Sequence, residues 1–139
     1  MFNRKASAEC ISVVTFKTTL PNDGLRYKDT DIEIRPAGIN IATNIASHLI
    51  KFEFMLYNML GDYEHHCWVL KVKWKGKYFS FWVYSFNQTF IRVVGPKKSS
   101  VYLDVINLLH KHLSDNELFS DIEWSGDMPN KRFVIPNQP

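Results

Sequence analysis

Apolar positions recur with a period of two along much of this chain, and with a period near 3.6 in two places. Glu9 to Thr19 holds Ile11, Val13, Val14, Thr15, Phe16 and Thr18 and stops at Pro21-Asn-Asp-Gly24. That pattern predicts a strand and a turn. In Leu25 to Arg35, Ile32 and Ile34 alternate with Asp31, Glu33 and Arg35, which predicts a half-exposed strand closed by Pro36. The clearest signal runs from Cys67 to Gly95. Trp68–Trp74, Tyr78–Tyr84 and Thr89–Val94 are joined by Lys75-Gly76-Lys77 and by Ser85-Phe86-Asn87-Gln88, a three-stranded antiparallel meander.

The helical period appears first over Asn40 to Leu60. Ile41, Ile45, Leu49, Phe52, Leu56 and Met59 form an apolar stripe opposite Asn40, Asn44, Ser47, Lys51 and Asn58, with Gly61 as the residue after the helix. Two positions disobey: Glu53 falls on the apolar side and Phe54 on the polar side. Ile50 to Leu56 also alternates with period two, so a strand there is the rival reading. The second helix follows Ser99-Ser100, with Tyr102, Val105, Ile106, Leu109 and Leu113 on one face and Ser114-Asp-Asn116 at its end. Phe119 to Trp124 reads as a short strand, and Arg132 to Ile135, among the prolines of the tail, as a further edge strand. The order of elements predicts one α+β domain over residues 1–139, a largely antiparallel sheet with the meander at its centre and two helices packed on it.

Composition agrees with a packed domain: 139 residues, 45% hydrophobic and 14% aromatic. Cys10 and Cys67 are too few for a disulfide scaffold, and buried thiols are favoured over a bridge between them. No apolar run approaches the length of about 20 residues that spans a bilayer, and Ala6-Ser-Ala-Glu9 supplies no core for a signal peptide, so the cytoplasm is the simplest location. The net charge of +3 is small, but it is unevenly spread. Residues 61–98 hold seven basic against two acidic residues, and residues 99–139 three against six.

Candidate chemistry is sparse. Lys71 and Lys73 share a face of the first meander strand, Lys75 and Lys77 sit at its turn, Arg92 lies on the third strand, and Trp82 and Tyr84 share a face of the second. Interleaved cations and rings are what single-stranded nucleic acid needs, phosphates pairing with the cations and bases stacking on the rings. Lysines also serve as ordinary solvated guards of a strand. Gly95-Pro-Lys-Lys-Ser-Ser100 leads into a helix N-terminus but lacks the order of a phosphate-binding loop. Glu64-His65-His66-Cys67 gathers metal-ligand types, yet adjacent residues rarely converge on one ion, and His110 and His112 are two apart on a helix. We expect no metal and no cofactor. A small hydrolase or nuclease built on His65 or His66 with Glu64 is the third reading, with no nucleophile motif beside it. The remaining candidate is acidic: Asp115, Glu117, Asp121, Glu123 and Asp127 around Trp124. An aromatic anchor ringed by carboxylates suits a basic protein partner. Phe54 would add a second contact if exposed.

In organisation the chain resembles the immunity proteins of bacterial contact-dependent inhibition and related polymorphic toxin systems. The resemblance lies in the meander Trp68-Val-Leu-Lys-Val-Lys-Trp-Lys-Gly-Lys-Tyr-Phe-Ser-Phe-Trp82, the following helix Val101 to Leu113 and the closing Phe119-Ser-Asp-Ile-Glu-Trp124. It implies a non-catalytic protein that binds a cognate toxin domain and blocks its active site or substrate entry. Partners of nuclease toxins are commonly acidic, whereas this chain is net basic, a departure that argues against a nuclease target unless the acidic segment makes the contact.

Overall fold

The computed structural model describes residues 9–26, 33–85, 88–96 and 100–126. Its strands are β1 (Glu9–Thr18), β2 (Leu25–Arg26), β3 (Glu33–Arg35), β4 (Met55–Asp62), β5 (Cys67–Trp74), β6 (Lys77–Ser85), β7 (Thr89–Pro96) and β8 (Phe119–Gly126). Its helices are α1 (Ile39–Lys51), between β3 and β4, and α2 (Ser100–Asp115), between β7 and β8. Six strands form one sheet in the order β4-β5-β6-β7-β1-β8, and every pair in it is antiparallel. The fold class is therefore α+β, with a central antiparallel meander and two helices.

Side-chain alternation sorts the sheet into two faces. Cys10, Val14 and Phe16 of β1, Leu70 and Val72 of β5, Phe79, Phe81 and Val83 of β6, and Ile91 and Val93 of β7 are buried in one cluster with both helices. α1 contributes Ile41, Ala42, Ile45, Ala46 and Leu49, and α2 contributes Tyr102, Val105, Ile106, Leu109 and Leu113. The opposite face carries neither helix. Ser12 is buried within the core side, where the Tyr102 hydroxyl of α2 lies 2.7 Å from its Oγ and 3.1 Å from the Val93 carbonyl oxygen. Gly95 makes room for that ring: a Cβ there would stand 2.6 Å from both Tyr102 and Phe79.

Two sequence expectations are corrected. Leu25 to Arg35 is not one strand: β2 and β3 are short and pair with each other. The expected helix over Asn40–Leu60 stops at Lys51, and its second half is strand β4, so the meander has four strands and Gly61 lies inside β4 opposite Trp68. The physical reason is local. The Glu53 amide donates to the Ile50 carbonyl at 2.9 Å and the Phe54 amide to the Leu49 carbonyl at 3.1 Å, with Glu53 at φ 68°. This is a Schellman ending with glutamate in the position that favours glycine. Phe54 turns inward, 4% exposed, and its ring stacks on Trp74 at 4.4 Å. It is a core residue and offers no exposed contact.

α1 starts on Gly38, in the left-handed region at φ 113°, with no capping side chain of its own. The cap comes from Asp23. One of its carboxylate oxygens accepts from the amides of Gly38 (2.7 Å) and Ile39 (3.2 Å), the other from Asn40. The Arg35 guanidinium holds this loop by donating to the Asp23 carbonyl at 2.7 and 3.2 Å. A carboxylate beside free amides also complements the positive end of the helix dipole.

Candidate functional site

The two outer strands of the six-stranded sheet are built differently. β8 is guarded. Its pairing with β1 shifts register between Thr15 and Lys17, Asp121 is held at φ 54°, and the exposed carboxylates of Asp121 and Glu123 line it. Such bulges and charges keep an edge from accepting another strand. β4 has one bulge, at Tyr57, and reads Met-Leu-Tyr-Asn-Met-Leu-Gly from residue 55 to 61, without a charge or a proline. Most of the large apolar residues exposed among the described residues gather at this edge. Met55 is 62% exposed, Tyr57 51%, Tyr63 55% and Tyr78 58%, with Leu60, Ile50 and Phe52 beside them. An uncharged edge flanked by apolar side chains is a docking feature for another chain.

The helix-free face continues from this edge. Met55 pairs with Lys73, Asn58 with Lys71 and Leu60 with Val69, so these side chains share that face. Tyr57 joins them, its ring edge-on to Tyr78 at 5.9 Å. Farther in lie Trp82, Tyr84, Phe90 and Arg92. The rings are already occupied. The Arg92 guanidinium lies over Trp82 at 5.0 Å, Tyr84 and Phe90 stack on each other at 4.4 Å, and Lys73 lies over Tyr78 at 5.4 Å. Burial, and then its neighbour Cys67, push the Tyr84 phenol above its ordinary range. Lys75 lies over Trp74 at 4.4 Å in the turn, and Lys77 opens β6 opposite Trp74, so neither joins Lys71, Lys73 and Arg92 on the helix-free face.

The acidic candidates do not assemble around Trp124. Asp115 ends α2 and pairs with Lys111 at 2.9 Å, while Glu117 is exposed in the turn before β8. Asp121 pairs with Lys17 at 3.2 Å, and Glu123 lies opposite Thr15 on the helix-free face. Trp124 alternates to the other face, opposite Val14, and packs against the core; Asp127 lies outside the described residues, as does 132–135. The Trp124 indole donates to His110 Nδ1 at 3.0 Å. Because the indole can only donate, His110 carries its proton on Nε2 and gives it to Ser114 Oγ at 3.0 Å. All four tryptophans spend their N–H internally: Trp68 on the Pro36 carbonyl, Trp74 on the Phe52 carbonyl and Trp82 on Ser80 Oγ.

The histidines next to Cys67 belong to a turn. His65 Nδ1 lies 2.8 Å from Asp62 Oδ2, so its carboxylate neighbour is Asp62 and not Glu64, and Asp62 Oδ1 also accepts the amides of Glu64 and His65. These bonds, the His65 side chain first, hold the Asp62 carboxyl below the ordinary carboxylate range. Among the described residues no group of three or more His, Cys, Asp or Glu side chains is placed to hold a metal ion, and Cys10 and Cys67 are both buried and not joined in a disulfide. No described helix is long and apolar enough to cross a membrane. Comparison with protein-family models, curated proteins and solved structures finds no match to this chain.

Proposed function

We propose that this chain is a non-catalytic binding protein of the immunity type, which neutralises a cognate bacterial toxin domain by covering its active site or the path of its substrate. The observation that carries the reading is the concentration of exposed Met55, Tyr57 and Leu60 along edge strand β4, uncharged from residue 55 to 61, with Tyr78 of β6 against Tyr57. Apolar and tyrosine side chains in such a patch supply the desolvated centre of a protein interface. Occlusion needs no proton transfer and no nucleophile. It needs a rigid surface, and β4 is backed by β5 and by α1. The acidic residues of α2 and β8 stand apart from this centre, where they meet basic residues of the partner away from the docking strand.

The test is co-expression with the products of the genes that flank this chain's own, scored for a toxic product that the chain relieves. Growth should be restored and a stable complex recovered. Tyr57→Ala with Leu60→Ala should abolish rescue and weaken the complex by about 100-fold or more, with the thermal midpoint of the free protein unchanged. Unrelieved toxicity, with no complex formed by the unaltered chain, would overturn the reading.

Single-stranded nucleic acid binding is favoured by one observation, that Lys71, Lys73 and Arg92 share a face with Trp82, Tyr84 and Phe90. It is disfavoured by another: those ring faces are filled by the protein's own cations and rings, which leaves bases little to stack on.

A further inference from the structure

We infer that β4 accepts an extended, acidic segment of the partner as an added antiparallel or parallel strand, with its carboxylates aligned over Lys71 and Lys73. The inference rests on the protein-binding reading above and names the chemistry of its partner.

One side of β4 pairs with β5, and the sheet ends on its other side. An incoming strand would lie about 4.8 Å beyond β4 and about twice that from β5. Lys71 and Lys73 project from β5 on the helix-free face, directly behind Asn58 and Met55. Asn58 is short, so the Lys71 stem can pass over it to the new strand. Among the described residues neither lysine forms an ion pair. Across the same edge, β4 contributes no charge of its own between residues 55 and 61. The added strand would therefore meet cations on one face. On the other it would meet Leu56 and Met59, which pack against the core, together with the exposed Phe52 and Ile50 at the end of α1. A segment that alternates acidic and apolar residues satisfies both faces at once, as strand addition requires.

The same charges argue against a second copy of this chain as the occupant. Pairing β4 with its own copy about a two-fold axis would bring two Lys71 and two Lys73 side chains to one face, where the β4 carboxylate, Asp62, is already held by the His65 ring and the amides of Glu64 and His65. Like charges so placed disfavour association.

The probes are blocked heptapeptides: Glu-Val-Glu-Val-Glu-Val-Glu, its counterpart with lysine for glutamate, and the acidic peptide with proline at the central valine. Binding is followed by backbone amide shifts of the labelled full chain and by fluorescence anisotropy. The acidic peptide should bind, shift amides of β4 and β5, and weaken as salt rises. The lysine and proline peptides should bind at least about tenfold more weakly. Lys71→Glu with Lys73→Glu should reverse the order of the acidic and basic peptides. The inference is overturned by any of four results: no binding, equal binding of both charges, shifts centred away from β4, or stronger binding of an oligothymidine that displaces the peptide. A dimer in sedimentation that Leu60→Lys dissolves would also overturn it, in favour of self-pairing. Growth rescue separates the two proposals. Rescue lost with Tyr57→Ala and Leu60→Ala but untouched by the two lysine reversals keeps toxin binding and removes the acidic strand.

Discussion

Removing the Asp23 carboxylate leaves the amides of Gly38, Ile39 and Asn40 at the start of α1 without their acceptor. Asp23→Ala should therefore cost about 1–2 kcal/mol in urea unfolding, at the upper end of capping effects, and Asp23→Asn, which keeps one acceptor oxygen, clearly less. A second residue-scale effect joins the helices. The rings of His48 on α1 and His112 on α2 stack at 4.1 Å, and His112 Nε2 lies 2.6 Å from Asn44 Oδ1. Burial first, then the charges of His48 and Lys51, push His112 down to about 4, and burial chiefly lowers His48 as well. Both are therefore neutral at pH 7. The unfolded chain binds these protons more readily, so the stability they confer is complete above about pH 6.5 and declines as pH falls toward 4. Discounted for partial exposure, His112 contributes about 1–2 kcal/mol of that decline. Thermal midpoints of the native chain and of His112→Asn across this range check it: the variant should lose less stability on acidification. Single residues were only partly legible beforehand. The sequence marks Trp124 as an aromatic near acids, but its orientation depends on the pairing of β8 with β1, which no local pattern carries.

At the scale of elements, local signals succeeded where neighbouring residues suffice. The meander strands and α2 are legible because their apolar positions are set by contacts within each element and by short turns. The stretch 40–60 was half legible. Glu53 and Phe54, the two positions that break the helical stripe, are where the helix ends. Either period fits the apolar residues around them, and what decides is tertiary: Phe54 stacks on Trp74 and the Phe52 carbonyl accepts the Trp74 indole. Because Glu53 occupies the left-handed region, Glu53→Gly should raise stability by about 0.5–1 kcal/mol, and Glu53→Val should lower it by about 1–2 kcal/mol. Denaturant midpoints of the two variants test this, and equal midpoints would remove the strain. The edge β4 was hidden by the same ambiguity, since a segment read as the end of a helix cannot present a strand edge.

For the molecule as a whole, the class, the antiparallel sheet and the side-by-side meander could be read from the chain, while the order of strands could not. The charge asymmetry along the sequence becomes a spatial one. The cations Lys71, Lys73 and Arg92 lie on one sheet face, and the acids Asp115, Glu117, Asp121 and Glu123 lie on the end of α2, its following turn and the guarded edge β8. The position of β1 has a consequence for biosynthesis. Its partners are β7 and β8, both far downstream: Thr15 pairs with Phe90, and Val14 with Trp124. At a synthesis rate of about 5–20 residues per second, β1 waits on the order of 5–15 s for β7 to be made, and longer for β8. Throughout that time Val14 and Phe16 have no sheet to enter, and both edges of β1 are open to other nascent chains and to chaperones. The four strands from β4 to β7 need no such wait, because each pairs with the one just made. Of the described strands, the first synthesised is thus the last to be enclosed.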